Sequence, residues 1–127
     1  MSTDLGVALS DKPEQFDIRR NDRLPPYRVD VLDRATGAPI ALSGTAVFTM
    51  MDQDGTLKID RQAATLELGE DGVTVNRLQY AWGATDTDTA GRFTAEFEVT
   101  TGGLKRTYPA SPRQALIINV YGDKDAD

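Results

Sequence analysis

The chain contains no histidine and no cysteine. That removes imidazole bases and ligands, thiolate nucleophiles and thiolate metal sites at the outset. Carboxylates, hydroxyls and aromatic rings are what remain for chemistry. Asp86 and Asp88 stand two apart in a threonine-rich stretch, a spacing at which two carboxylates can divide the work of glycoside hydrolysis. The same residues in such a loop serve equally as turn and backbone caps, and capping is the expectation. Asp52, Asp54 and Gly55 resemble part of a calcium loop, but its first and last ligand positions would fall on Met50 and Arg61, so a hairpin turn is expected instead. The four serines lack a G-x-S-x-G elbow and any imidazole to activate them. The reading is a non-enzyme, with no catalytic, cofactor or metal residue assigned.

Aromatic and apolar side chains offer binding chemistry of another kind. Trp82 and Tyr80 could present stacking faces to a sugar or a peptide, although core packing is the default for such residues. Val47 and Met51 on one strand, with Ile117 and Tyr121 on the last, fall on the faces opposite the core. If they meet in one exposed patch, they mark a surface for another protein.

Strands must position all of these groups. Phe93, Ala95, Phe97 and Val99 alternate with Thr94, Glu96, Glu98 and Thr100, giving one dry and one wet face. Leu78, Tyr80 and Trp82 repeat the period just before, and the segment Asp88-Thr-Ala-Gly91 between the two runs reads as a turn. Upstream, Phe16 and Ile18 suggest a short edge strand, ended by the Leu24-Pro25-Pro26 break. Tyr27, Val29 and Val31 form a second strand, closed by the turn at residues 35–39. Ala46, Phe48 and Met50 form the dry face of a third. Asp52-Gln-Asp-Gly55 then turns the chain into Leu57 and Ile59, and a separate strand is expected over residues 64–68. The dry parity changes between Val75 and Leu78, which predicts a bulge or break at Asn76-Arg77. Thr101-Gly102-Gly103 turns into residues 104–108, Pro109 and Pro112 interrupt, and residues 115–121 make the last strand. Turns recurring every eight to twelve residues or so, with no sustained helical period, read as an all-β sandwich. Phe48, Tyr80, Trp82, Phe93 and Phe97 are its expected core.

At 127 residues, 39% hydrophobic and 27% charged, the composition suits one domain. No run is long enough to cross a bilayer as a helix, and the acidic start, MSTDLGVALSDKPEQ, does not read as a secretory signal. A net charge of -6 with scattered cations disfavours nucleic acid. Residues 1–15 show no period and read as a flexible arm. Residues 122–127 read as a short acidic tail.

The order of these pieces resembles an immunoglobulin-like module of tailed-phage virions, notably the N-terminal domain of baseplate upper proteins. The matching residues are Asp17-Ile18, Asn21-Asp22-Arg23-Leu24-Pro25-Pro26, Gly37-Ala-Pro39, Leu42-Ser-Gly44, Phe48-Thr-Met50, Tyr80-Ala-Trp82, Asp88-Thr-Ala-Gly91-Arg-Phe93 and Ala95-Glu-Phe97-Glu-Val99-Thr100, followed by Pro109 and the Ile118 strand. The likeness spans residues 16–121. It implies an immunoglobulin-like antiparallel β-sandwich in which Asp88-x-x-Gly91-x-Phe93 stands where such domains carry a tyrosine corner. Phe93 cannot make the tyrosine's hydrogen bond, so the corner would rest on packing and on the Asp88 side chain. The resemblance further implies a structural virion protein present in multiple copies, made in the bacterial cytoplasm, on the tail or baseplate or else decorating the capsid. Its partners would be other virion proteins, with no nucleic acid and no membrane. The expected interface residues are Phe16 and Ile18, where a partner's strand could add, together with Val47, Met51, Ile117 and Tyr121.

Overall fold

The computed structural model describes residues 7–9, 15–109 and 116–122. It is all-β, with no helix among the described residues. The strands are β1 Val7–Leu9, β2 Phe16–Arg19, β3 Tyr27–Asp33, β4 Thr45–Met51, β5 Leu57–Leu68, β6 Val75–Tyr80, β7 Gly91–Thr101, β8 Leu104–Tyr108 and β9 Leu116–Tyr121. They follow one path, β1-β3-β6-β5-β4-β7-β9-β2, with β8 also on β7. The sheet curls until it nearly closes into a barrel. The expectation of purely antiparallel pairing is corrected at one place, where β2 runs parallel to β9.

Near-closure comes from strands that change partners along their length. β5 pairs with β4 through Leu57 to Ala64, then with β6 through Thr65 to Leu68. Within the first half Arg61 takes a φ of 53°, and the β4·β5 register slips on either side of Met50. Bulges of this kind bend a strand and increase its twist. The polar run Asp60-Arg61-Gln62, which separated two strands in the sequence reading, is therefore a bend inside one twelve-residue strand. The buried Thr49 hydroxyl accepts the Arg61 N–H at 3.3 Å there. On the other side Val7–Leu9, inside the expected arm, pairs with β3, whereas Phe16–Arg19 pairs with β9. The remaining residues of the arm, the tail residues 123–127 and Pro112 lie outside the described residues.

The expected bulge on β6 is present. Glu67 faces Arg77 and Leu68 faces Val75, leaving Asn76 as the extra residue. Its side chain is buried, and Nδ2 donates to the Val31 carbonyl at 3.0 Å. Gly69 makes room for it, since a Cβ there would lie 1.9 Å from the Asn76 Oδ1. Beside it, Arg77 binds Asp30 with two nitrogens, at 2.7 and 3.2 Å. This ion pair joins facing residues of β3 and β6.

The dry faces converge on a cluster of rings. Phe48 stacks on Tyr80 at 4.4 Å and lies 4.9 Å from Phe97; Tyr27 stacks on Phe97, and Trp82 stands edge-on to both Phe48 and Tyr80. Phe48, Tyr80, Trp82, Phe93 and Phe97 are all buried. Replacing Phe48, which is fully enclosed, by alanine is expected to cost about 3–5 kcal/mol in urea unfolding. Gly44 is a second sensitive point, with a φ of 98° and a would-be Cβ only 2.0 Å from the Thr100 carbonyl oxygen. Gly44→Ala should cost more than about 1 kcal/mol in the same assay.

Candidate functional site

The residues with chemical potential at one end of the barrel are committed to holding two loops together. The Trp82 indole N–H donates to the Pro25 carbonyl at 3.0 Å, and Arg23 Nε donates to the Trp82 carbonyl at 3.1 Å. The buried Thr87 hydroxyl donates to the Asp22 carbonyl at 2.7 Å, while the Asn21 N–H donates to the Thr87 carbonyl at 2.8 Å. Asp86 Oδ2 accepts from the Tyr80 hydroxyl at 2.5 Å and from the Gly83 N–H at 2.6 Å. Asp88 instead accepts from Lys58 Nζ at 2.5 Å and from the Thr89 hydroxyl at 2.9 Å. The two aspartates thus serve separate anchors. The corner that the resemblance placed on Asp88 is tied by Thr87 and Asp86, and the Phe93 ring packs inside. Burial, helped by the hydrogen bond and the charge of Asp86, pushes the Tyr80 phenol well above its ordinary range. The Lys58 hydrogen bond, followed by that of Thr89, holds the Asp88 carboxyl below its ordinary range.

The 52–56 hairpin is closed by its own carboxylate. Asp52 Oδ1 accepts the N–H groups of Asp54 and Thr56, each at 2.9 Å, and Gly55 supplies a φ of 87°. This is an Asx-type turn. Among the described residues no three acidic side chains gather as they would to hold a metal ion.

The aromatic binding platform is not on the surface. Trp82 is 2% and Tyr80 4% exposed, so neither ring offers a face to a sugar. Of the expected interface residues on β2, Ile18 is buried and Phe16 packs against Tyr27 and Trp82. Contact with a partner along β2 would have to use its backbone edge.

The solvent face of β5, β4, β7 and β9 is organised in rows. Met51 faces Leu57 on one side and Thr94 on the other, and Thr94 faces Ile117. Strand spacing sets Met51 and Ile117 about 10 Å apart in one row. Val47 lies in another row, between Ala63 and Glu98, and Tyr121 faces Arg19 at the opposite end of the face. The four expected residues therefore lie along a diagonal, with Met51 and Ile117 at its centre. Charges flank the central row: Arg61 and Lys105 pair with Glu98 on one side, and Arg92, Asn119 and Asp17 form a row on the other. Leu57, 47% exposed, extends the apolar row. Local alternation does not place it there, because the β4·β5 register shifts change its parity relative to Ile59.

A second feature had no sequence forecast. At the end of β4 opposite the 52–56 hairpin, an open groove of about 470 Å³ is walled by Leu42, Val99, Leu104, Lys105, Arg106 and Tyr108. Arg106 faces Val99 and Leu104 faces Thr101 in the β7·β8 ladder, so both share the inward side and line the mouth between the strands. The Leu104-Lys105-Arg106 run after a double glycine was the available signal.

The Tyr80 environment yields a pH prediction. A phenol whose ionisation is suppressed in the folded state contributes stability that is complete below the unfolded tyrosine pKa of 10.0, and that declines as pH rises above it. Wild-type stability should fall above pH 10 in urea titrations. Tyr80→Phe should shrink that fall while costing about 1–2 kcal/mol at neutral pH, because Asp86 loses a donor.

No protein-family model and no curated protein matches this chain, so its function rests on its own residues and geometry.

Proposed function

We propose that this protein is a non-enzymatic assembly module of a tailed bacteriophage particle, immunoglobulin-like in fold, that binds other virion proteins in multiple copies. The observation that carries this reading is the apolar row Leu57-Met51-Ile117 on the outer face of the sheet, flanked by charges. Half-buried apolar residues inside a charged frame are what a protein-docking surface requires. The all-β path supports the immunoglobulin-like description, since its N-terminal segment edges both β3 and the parallel partner β9. The resemblance over residues 16–121 supplies the particle. Its site is the tail or baseplate, with capsid decoration the rival position. A carbohydrate-binding role loses its support with the burial of Trp82 and Tyr80.

Mechanically, docking removes the row from water, and the flanking charges set register and partner choice. The double variant Met51→Asp/Ile117→Asp should keep the wild-type circular dichroism spectrum yet be missing from purified particles, measured by quantitative mass spectrometry. Wild-type protein should be recovered in them. Antibody label at the tail end or over the head would choose between the two positions. Particles lacking the wild-type protein altogether would refute the reading.

A further inference from the structure

We propose that the molecule covering the Met51 row is a second copy of this chain, packed face to face about a twofold axis that runs along the row. The inference rests on the reading of that row as a docking surface and names its occupant.

Opposite charges flank the row on a single strand. Arg92, Thr94 and Glu96 are successive outward residues of β7, and Thr94 is the β7 member of the row, facing Met51 on β4 and Ile117 on β9. Strand geometry sets Arg92 and Glu96 about 7 Å to either side of it. Arg92 is exposed and Glu96 half-buried. Among the described residues neither makes an ion pair, and Arg92 donates to the neutral Gln15 amide oxygen at 3.4 Å. Glu98, by contrast, is already paired with Arg61 and Lys105 inside one molecule, so it contributes nothing to the choice of partner.

Symmetry turns this arrangement into a match. A half-turn about an axis along the row sets Thr94 over Thr94, Met51 over Met51 and Ile117 over Ile117, while each Arg92 lies over the other copy's Glu96. One isologous contact thus forms two opposite-charge pairs. The usual crossing of about 30° between packed sheets displaces Arg92 sideways from Glu96 by roughly 3–4 Å at this spacing, within the swing of an arginine side chain. An axis running along β7 would instead set Arg92 over Arg92 and Glu96 over Glu96. An axis between β4 and β7 would cover Glu96 with Thr49, which offers no counter-charge. Like charges brought together and a charge covered unpaired are both costly. The face therefore carries its own counter-charges for one axis, and no partner of different chemistry is needed. Because the sheet curls toward closure, the contact is small and centred on the row, and dimerisation in the micromolar range is expected.

Sedimentation equilibrium on the full chain tests it. The wild-type average mass should pass from monomer to dimer between about 1 μM and 1 mM and stop there, since an isologous contact is closed. Arg92→Glu and Glu96→Arg should each weaken the dimer on the order of 10-fold or more, with unchanged circular dichroism. The two changes combined in one chain should restore it, because the swapped charges again face their opposites. Thr94→Cys, the one thiol in a chain without cysteine, should be joined to its own copy by a short bismaleimide, whereas Thr65→Cys on β5, away from the axis, should not. A wild type monomeric throughout this range would overturn the proposal, as would a double swap no stronger than its parents or equal cross-linking at both thiols. A monomeric wild type that still enters particles would remove this inference and leave the docking reading standing; a dimer never found in particles would do the reverse.

Discussion

The ring cluster around Phe48 is the constraint that the rest of the chain obeys. Phe48, Tyr80, Trp82, Tyr27 and Phe97 come from β4, β6, the loop after it, β3 and β7, so the cluster closes only when strands distant in sequence are already adjacent. Each aromatic pair adds about 0.5–1.5 kcal/mol beyond its buried area. The larger consequence is geometric, because rings of this size need cover on every side. β5 provides it by bending at Arg61 and then passing from β4 to β6 after Ala64, and the N-terminal segment provides it by edging both β3 and β9. Ile18 and Phe16 on β2 then seal the cluster beside Trp82.

The polar groups near the rings follow from the same requirement. A buried indole N–H or phenol costs stability unless it finds a partner, and Trp82 and Tyr80 find theirs in Pro25 and Asp86. The loops at residues 20–26 and 81–90 are thereby held in place by the core they cap. Thr87 completes the tie from within. Asp86 and Asp88, whose spacing suggested a catalytic pair, are explained by what each must hold: Asp86 a buried phenol and a turn N–H, Asp88 the Lys58 ammonium.

Period-two alternation made β3, β4 and β7 legible, because each buries one face and a one-residue slip would expose it. The bulge at Asn76 was legible for the same reason, since a change of parity between Val75 and Leu78 must be absorbed somewhere. What alternation could not reveal was partner exchange. Asp60-Arg61-Gln62 reads as a loop because its side chains are exposed, yet the backbone stays paired around the bend. Asp30 is likewise invisible as a buried residue until Arg77 is seen opposite it. Burial of a charge depends on a partner forty-seven positions away, and local pattern carries no such distance. The groove is hidden on similar grounds: it needs Leu42, before β4, and Leu104, on β8, to line one space.

The core and the outer face differ in what holds their side chains. The Trp82 and Tyr80 rings are enclosed, and Asp86 and Asp88 are engaged by Tyr80, Gly83 and Lys58. On the outer face Met51 of β4 and Ile117 of β9 are only partly buried, and Leu57 of β5 is 47% exposed. The area these residues leave in water adds nothing to the stability of the monomer. They gain when water is removed by a partner, at roughly 25 cal/mol per Å² of apolar area covered. The acidic balance of the chain works in the same direction, since a net charge of -6 opposes indiscriminate contact between copies.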